Sequence, residues 1–450
     1  GASAFQSSSP FRLPSAFSRG GASSSSTSSC LSAIDVREGV GRDVPSMEGW
    51  ANQCGIQRAD GFSLNTEDGG VDWFAVATQN MPANSPVLAV PNNVMLTSNA
   101  AKAELGGAAS DAADYLARMG AGDQIPQFYL FLKVLAEFEK GEASPWFPWL
   151  NSLPRLYFNS VSMTNFCYEC LPPLVFRLAR AERSKFDNFV AALQKVNGLN
   201  PEIKSDNDIA KWAFNVVCTR AVGEGNEKAI VPMADMLNHG TETEVALNFD
   251  QNGNCNVYTT RDVPAGTPLR MSYGDPTNPS ALFATYGFLD ETSPATFCKI
   301  MTIQPTPELL DIGYDFSRML FYKDTGDISQ EVWDVVLYAQ VLTSDKAAQQ
   351  AFHQAHVNGD INTKQAIHQQ YFPQTANALK EHVDTFLSTL DELGAKADGK
   401  DVNEHPRLPL ILRHNDFVRQ TFLRVKANLD PMVAQAGGGV GAGAGAGAFQ

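Results

Sequence analysis

No stretch of the 450-residue chain approaches the roughly 20 consecutive apolar residues that a membrane-spanning helix needs. Positive charge is also scarce, because 49 acidic residues face 34 Lys and Arg residues and the formal net charge is -15. Without a run of Lys and Arg to offset that background, non-specific binding to nucleic acid or to an anionic membrane is disfavoured. The sequence therefore predicts a globular protein that binds neither nucleic acid nor a membrane.

The sequence also lacks a disulfide framework and the spacing of a zinc site. Its seven cysteines are an odd number scattered through a long chain, which is typical of free thiols in a reducing compartment. Cys167 and Cys170 form one CxxC pair, but no second pair or histidine stands close enough in sequence for zinc. We predict that both are buried core thiols and that the chain holds no metal.

The signature motifs of several enzyme classes are absent as well. The chain has no G-x-S-x-G elbow, no P-loop and no dinucleotide-binding glycine fingerprint. Of its seven histidines only His239 precedes residue 350, whereas a histidine-based hydrolase would need one in the core unit. These classes are disfavoured, which directs attention to the polar residues around His239.

Both ends of the chain have biased composition. The first 34 residues are rich in Ser, contain Arg12 and Arg19, and carry no acidic residue, as transit peptides do. The ASAF at residues 2–5 resembles the cleavage motif of plastid presequences in algae with secondary red plastids. We therefore predict a disordered segment over residues 1–45 and a plastid location, with a plain disordered N-terminus and a cytoplasmic location as the alternative. Residues 436–450 read as a flexible Gly/Ala-rich tail.

Between these ends, two similar segments are separated by a helical insert. VATQNMPANSPVLAVP, from Val76, and YTTRDVPAGTPLRMSY, from Tyr258, each predict a strand, a tight turn and a second strand. Alternating residues around Asn252-Gly253 predict a hairpin. The insert, at about residues 105–200, contains the helical patterns IPQFYLFLKVLAEFEKG and PLVFRLARAERSKFDNFVAALQKV.

The last part of the chain is predicted to be helical over residues 301–435. Apolar residues recur there at steps of four and three, and Gly394 follows them as a predicted C-cap. The residues of this pattern are Leu379, Val383, Phe386, Leu390 and Leu393. A β-rich region that precedes a helical domain places the chain in the α+β class.

The stretch VPMADMLNHG, residues 231–240, places three polar residues in an apolar run. As a helix it would bring Asp235 onto one face with Asn238 and His239. Burying such groups without hydrogen bonds costs roughly 2–7 kcal/mol for each neutral one. Two interpretations remain open from these residues alone: a short capped helix bonded to its own backbone, or a ligand site.

Downstream, in SYGDPTNPSALFATYGFLDE, Tyr273 and Tyr286 each precede a glycine. The order ADMLNH, hairpin and two Tyr-Gly pairs resembles the SET-domain protein methyltransferases, in the branch that includes the plastid Rubisco large-subunit lysine methyltransferase. The match runs from about Gly61 to Phe288, and SPWFPWLNSLP, residues 144–154, resembles the family's insert. The resemblance implies a pseudoknot-like SET domain over residues 46–300, followed by an α-helical substrate-binding domain over residues 301–435.

The resemblance also implies S-adenosylmethionine as cofactor. Asn238, through its side chain, and His239, mainly through its backbone, match the pair that binds this cofactor. Arg220 matches a strand arginine that faces the cofactor's carboxylate, a task that suits a planar and permanently charged guanidinium. The backbone of residues 70–74, with Asp72, Trp73 and Phe74, corresponds to the segment along the methionine part.

Tyr286 matches the family's catalytic tyrosine. The target lysine must lose a proton, from an unperturbed pKa near 10.4, before its nitrogen can accept a methyl group. An apolar channel lowers that pKa, and a phenol oxygen with backbone carbonyls aims the lone pair. The resemblance implies that Tyr273 and Phe288 wall the channel and that Asp235 lies near its mouth, acting through its carbonyl, with Arg220 also among the substrate-binding residues.

The implied function is protein-lysine methylation by a monomer acting on a non-histone protein, with Rubisco large subunit or a plastid aldolase as candidate substrates. Three departures from the family pattern stand out: Gly240 replaces the usual Ser, Val222 the usual Phe, and EDGGVDWFAVA the Gly-x-Gly motif. Two alternatives stay open. One is histidine methylation, which needs no deprotonation near pH 7. The other is a catalytically silent SET protein that only binds partners.

Overall fold

The computed structural model describes residues 34–438 except 224, 226, 299 and 316. The helices are α1 (Val44–Gln53), α2 (Ser98–Arg118), α3 (Ile125–Glu139), α4 (Phe147–Ser152), α5 (Asn165–Glu169), α6 (Pro173–Leu193), α7 (Pro201–Ser205), α8 (Asn207–Arg220), α9 (Pro279–Tyr286), α10 (Pro307–Ile312), α11 (Gln330–Val336), α12 (Lys346–Val357), α13 (Ile361–Ala397) and α14 (Leu408–Gly438). Within the described residues, no helix combines the length and the apolar character that a bilayer crossing requires.

The strands are short. They are β1 (Gln57–Arg58), β2 (Phe62–Asn65), β3 (Phe74–Ala77), β4 (Pro86–Val90), β5 (Leu96–Thr97), β6 (Ala221–Val222), β7 (Ala229–Ile230), β8 (Asn238–His239), β9 (Val245–Phe249), β10 (Cys255–Thr259), β11 (Arg270–Met271), β12 (Ala295–Phe297) and β13 (Leu320–Tyr322). Together with the helical C-terminal region they confirm the predicted α+β class.

The chain divides into two compact units. The first unit comprises the residues up to Tyr157 together with Ala181–Tyr273, and the second comprises Phe158–Arg180 together with the residues from Gly274 onward. This division differs from the predicted boundary at residue 300, because α9 and part of the insert cluster with the C-terminal helices.

The first unit contains an antiparallel sheet in the order β1-β4-β10-β9. The predicted hairpin is present as β9 and β10, and Gly253 takes the positive φ of 76° that its turn requires. Two smaller pairings concern the candidate site: β2 pairs antiparallel with β3, and β11 pairs parallel with β8.

The two similar segments pair with each other in the first unit. Met81 and Val263 exchange two backbone hydrogen bonds, each of 2.8 Å. The side chain of Asp262 accepts from the Ala83 N–H at 2.8 Å, and at the equivalent place Asn80 accepts from the Ala265 N–H at 2.9 Å. The likeness of the two sequences therefore corresponds to a near-symmetric pair of turns.

Aromatic packing joins the helices of the insert. Phe128 on α3 lies 5.2 Å from Phe189 on α6, measured between ring centroids, and Phe189 lies 5.4 Å from Phe214 on α8. Edge-to-face rings at such distances add to the stabilisation from burial. The helical region runs from Ser98 to Arg220 and is thus wider than the predicted 105–200.

The second unit is built on the long helices α13 and α14, as the apolar periodicity predicts. The predicted C-cap at Gly394 is wrong, because α13 continues to Ala397, which is buried. The region is also not purely helical: β13 pairs with β12, and its buried Phe321 lies 5.0 Å from the ring of Phe422 on α14. Cys167 and Cys170 are both fully buried, which confirms their prediction as core thiols.

Both predicted disordered ends need correction where the structure describes them. Ile34 is buried, and the backbone oxygen of Asp35 accepts a 2.7 Å hydrogen bond from Arg155. Residues 34–45 are therefore ordered and belong to the first unit. At the other end α14 continues to Gly438. Predictions for residues 1–33 and 439–450 lie outside the described residues.

The paired turns give a stability prediction. The buried Thr259 hydroxyl donates to the Pro82 oxygen at 2.6 Å and accepts from the Ser85 N–H at 2.8 Å. Thr259→Val keeps the side-chain shape but leaves these buried groups unpaired, so we expect a loss of about 1–3 kcal/mol in unfolding free energy. Urea unfolding followed by tryptophan fluorescence measures it. The exposed Thr260→Val is the control, and equal losses in both variants would contradict the prediction.

Candidate functional site

The stretch VPMADMLNHG is not the single helix that its spacing suggests. Ala234–Met236 forms one 3-10 turn, and Asn238 and His239 form β8, which lies parallel to β11. The turn begins at Met233, which is buried with φ of 73°, an unusual conformation for a large side chain. Asn238 and His239 are therefore successive residues of an extended segment, whose side chains alternate, and they do not share a helical face with Asp235.

Arg220 and Asp235 form a buried ion pair. Arg220 is the last residue of α8, and the predicted strand begins only after it. Its Nη1 donates to the Asp235 carbonyl oxygen at 2.6 Å and to Asp235 Oδ2 at 3.0 Å, and the side chains are 11% and 1% exposed. Trp149 Nε1 also donates to Asp235 Oδ2, at 3.0 Å. Since its carbonyl already accepts from Arg220, the predicted role of Asp235 at the lysine mouth stays a prediction.

A second arginine, which no sequence motif indicates, lies close to this pair. Arg42 donates to the oxygens of Ser152, at 2.7 Å, and Val71, at 3.2 Å, and approaches the sulfur of Met236 at 3.5 Å. Burial, together with the positive charge of Arg220, lowers the pKa of Arg42 to about 10. Arg42 lies in the segment that was predicted to be disordered, which is why it was missed.

Among the buried and half-buried side chains of this region, positive charge exceeds negative charge. Burial opposes the charge of Arg220, but Asp235 more than offsets that effect and the pKa of Arg220 is raised. Burial also raises the pKa of the nearby Tyr157 phenol, so the phenol is neutral at physiological pH. Asp235 is the buried carboxylate beside the two guanidinium groups, and the exposed Asp72 also lies close enough to Arg42 to favour its charge. Within the described residues, Arg220 Nε and Asp235 Oδ1 are buried without a hydrogen-bond partner.

Unpaired buried polar atoms are costly, and native proteins usually satisfy them with a bound molecule or water. An excess of guanidinium charge favours an anion, and a carboxylate matches the guanidinium geometry best. We call Arg42, Arg220, Asp235, Trp149 and Tyr157 the arginine cluster. Its composition fits the carboxylate end of an amino acid such as the methionine part of S-adenosylmethionine.

The predicted cofactor loop is held next to this cluster by Arg42, through the Val71 carbonyl. Asp68 accepts from the N–H groups of Val71 and Asp72, both at 3.0 Å, and so fixes the turn that precedes β3. Asp72 is exposed, whereas Trp73 and Phe74 are half-buried. Phe74 is the first residue of β3.

His239, predicted to bind the cofactor, and Tyr273, predicted to wall the lysine channel, lie in contact with each other. The Tyr273 N–H donates to His239 Nδ1 at 3.1 Å, so the ring proton of neutral His239 lies on Nε2. The Tyr273 hydroxyl donates to the Leu237 carbonyl at 2.6 Å. Tyr273 therefore holds the Leu237 carbonyl and the His239 ring, on either side of Asn238.

The departure at Gly240 has a local explanation. A Cβ atom at Gly240 would lie 3.0 Å from both Cβ and Cδ of Arg270, which is tighter than ordinary contact. Arg270 in turn forms hydrogen bonds to the buried Glu244 through Nε, at 3.0 Å, and Nη2, at 2.9 Å. The pKa of Glu244 is lowered because, although burial opposes its charge, Arg270 and Arg261 donate to it. Glycine thus leaves room for this ion pair.

In the second unit, Tyr286 is the last residue of α9, and Gly287 caps the helix with φ of 80°. The ring of Phe288 lies 6.0 Å from that of Tyr286, measured between centroids. Both residues are half-buried, so the phenol end of α9 is not part of a closed core.

The second unit also encloses a cavity of about 680 Å³ that none of the predicted site residues lines. Its walls include Leu174, Phe297, His382, Phe386, His414 and Phe422. Burial lowers the pKa of both histidines to about 4, so they are neutral at physiological pH. Among the described residues, no group of three or more His, Cys, Asp or Glu side chains is arranged to hold a metal ion.

Known proteins resemble this chain over part of its length. The family model of the SET domain matches residues 72–274. SET domain-containing protein 4 of Artemia parthenogenetica is 27% identical over 181 residues, which are 37% of this chain and 45% of that protein. Ribosomal lysine N-methyltransferase 4 of Schizosaccharomyces pombe is 30% identical over 124 residues, 27% of this chain and 25% of that protein. The chain thus spans less than half the length of these relatives.

Two solved structures share the fold. Rubisco LSMT bound to AdoMet superposes with a TM-score of 0.61 at 15% identity and covers 88% of this chain and 93% of that one. The SET domain of LSMT bound to lysine and AdoHcy gives the same TM-score and identity over 88% and 92%. At this identity the likeness shows the fold, which confirms the predicted resemblance of architecture.

The arginine cluster leads to a second stability prediction. Asp235→Ala leaves Arg220 buried without its counter-charge, and such a loss costs about 3–5 kcal/mol. We expect a large drop in the thermal unfolding midpoint, measured by circular dichroism. Asp187→Ala is the control, because it removes the exposed i, i+4 partner of Arg183 in the same unit and exposed pairs contribute little. A midpoint as high in Asp235→Ala as in Asp187→Ala would contradict a structural ion pair.

Proposed function

Because the chain contains a SET domain across residues 72–274, we propose that it is an S-adenosylmethionine-dependent protein-lysine N-methyltransferase. The arginine cluster is the observation that carries this proposal. It offers two neighbouring guanidinium groups and a buried, unpartnered Arg220 Nε beside the ADMLNH stretch. A catalytically silent SET protein would have no need to retain two neighbouring guanidinium groups and a buried nitrogen without a hydrogen-bond partner.

Cofactor binding is proposed for three groups of residues in the first unit. Arg220 and Arg42 are placed to meet a carboxylate, and Asn238 and His239 are the proposed contacts to the nucleoside part. Residues 70–74 supply backbone groups next to Arg42. When bound, S-adenosylmethionine supplies a methyl group on a sulfonium sulfur.

The residues of the chain have a separate task toward the lysine. The amine must be neutral and its lone pair must be aimed, so a narrow apolar channel with few acceptors serves better than a strong base. Tyr286 is proposed to orient the amine through its phenol, with Tyr273 and Phe288 as apolar walls. The Tyr273 hydroxyl is already engaged with the Leu237 carbonyl, which leaves its ring as the part available to the channel.

The substrate is proposed to be a protein that the helical second unit helps to recognise. Two relatives support a protein substrate by their names, one as a ribosomal lysine methyltransferase and one as Rubisco LSMT. A plastid location, Rubisco large subunit or a plastid aldolase as substrate, and the monomeric state stay predictions.

Cofactor binding is the first test of the proposal. We expect S-adenosylmethionine to bind the full chain in isothermal titration calorimetry with micromolar affinity, and Asn238→Ala to abolish measurable binding because it removes a direct contact. Asn248→Ala, an exposed substitution on β9, should bind like the wild type. No binding by the wild type would overturn the proposal and favour the silent alternative.

Tyr286→Phe tests the catalytic role. We expect cofactor affinity to be unchanged and turnover to fall on the order of 100-fold, since the variant loses the group that positions the amine. The measurement is transfer of tritiated methyl to arrays of lysine and histidine peptides and to purified Rubisco large subunit. Tyr322→Phe, at an exposed site on β13, is the matched control. Methylation of histidine peptides alone would show that the lysine proposal is wrong.

A further inference from the structure

The last turn of α9 receives hydrogen bonds from a distant part of the chain. A helix leaves its final carbonyl oxygens without partners inside the helix. In the second unit, Ser160 Oγ donates to the Ala284 oxygen at 2.6 Å, and Asn159 Nδ2 donates to the Thr285 oxygen at 3.2 Å. Both donors are almost completely buried. The two carbonyls directly before Tyr286 are therefore held by side chains of the insert.

The backbone that follows Tyr286 is fixed by close contact with the same segment. A Cβ atom at Gly287 would lie 2.2 Å from the Asn159 nitrogen and 2.4 Å from the Phe158 carbonyl carbon. Only glycine permits this approach, and its φ of 80° independently favours glycine. Glycine at position 287 is thus required by the close contact of Phe158 and Asn159 with the helix end.

The segment that contacts the end of α9, residues 158–162, is itself held by hydrogen bonds. Ser160–Ser162 is a 3-10 turn, in which the Ser162 N–H donates to the Asn159 oxygen at 3.0 Å. Ser162 Oγ donates to Asn159 Oδ1 at 3.2 Å, which orients the amide so that its nitrogen faces Thr285. The Tyr168 hydroxyl donates to the Ser160 oxygen at 2.9 Å. Asn159 and Ser160 are therefore held in place before they hold α9.

We propose that Asn159 and Ser160 are positioning residues for Tyr286. They act through the Thr285 and Ala284 carbonyls and set the direction in which the helix end presents the phenol. Functional groups have to be held within about 0.5 Å of the productive geometry, which a half-buried tyrosine at a free helix end would not achieve. The inference rests on the proposed function, because it assigns Tyr286 the catalytic task.

Ser160→Ala and Asn159→Ala are expected to lower kcat by roughly ten-fold each, while KM and the calorimetric Kd for S-adenosylmethionine stay unchanged, because small displacements of a reacting group have large effects on rate. If an alanine variant does not fold, Asn159→Asp, which keeps the side-chain size, and Ser160→Thr, which keeps the hydroxyl, take its place. Ser160→Thr should recover most of the lost rate.

A double-mutant cycle separates positioning from general stability. If Ser160 acts through Tyr286, the Ser160→Ala/Tyr286→Phe double variant should be no slower than Tyr286→Phe alone. Additive losses would overturn the proposal. Thr306→Ala is the stability control, because it removes the N-cap of α10 in the same unit. It should lower the unfolding midpoint and leave kcat intact, and a loss of kcat equal to that of Ser160→Ala would also overturn the proposal.

A readout that does not need activity keeps this inference distinct from the proposed function. With 3-fluorotyrosine at position 286, we expect one sharp 19F resonance in the wild type and a shifted or broadened one in Ser160→Ala and Asn159→Ala. An unchanged resonance in both variants would overturn the positioning role. If the resonances of the wild type and the variants are as expected but the wild type binds no cofactor, the methyltransferase proposal is overturned. The positioning of Tyr286 by Asn159 and Ser160 would then still be supported.

Discussion

Two backbone hydrogen bonds exchanged by Met81 and Val263 are the constraint on which the first unit depends. The turn around Met81 follows β3, which begins at Phe74, and the turn around Val263 precedes β11. Because β11 pairs with β8, joining the two turns also sets where the strand of Asn238 and His239 lies. The proposed cofactor residues come from distant parts of the sequence, and this pairing of two similar turns gives them a common frame.

Burial of the charged groups in the arginine cluster opposes folding, because it removes them from water. Asp235 offsets the burial of Arg220, but burial and the charge of Arg220 still lower the pKa of Arg42, so the charge of Arg42 is not fully compensated. Replacement of buried ion pairs by apolar residues often stabilises a protein. Their presence therefore makes sense if an anion completes the balance when it binds. Trp149 and Tyr157 add neutral donors around the charges, and the second nearby carboxylate, Asp72, is exposed to solvent.

Local patterns in the sequence predict the long helices and the hairpin correctly, but they fail where tertiary pairing decides the conformation. The helices around Phe128 and Val383 and the hairpin at Gly253 follow from periodicity and turn chemistry. The stretch around Asn238 has helical spacing, yet its partner strand β11 makes it extended, and a pairing of two residues leaves no period to detect. Arg42 could not be found at all, because nothing near it in sequence indicates that it contacts Met236, far along the chain.

The helical insert has a larger part in the chemistry than its position between two β segments suggests. Its residues up to Tyr157 belong to the first unit and place Trp149 against Asp235, whereas Asn159 and Ser160 belong to the second and hold the end of α9. A single continuous stretch therefore shapes the surroundings of both the proposed cofactor carboxylate and the proposed catalytic phenol. Substitutions within residues 149–160 are therefore expected to disturb either the proposed cofactor carboxylate site or the proposed catalytic phenol.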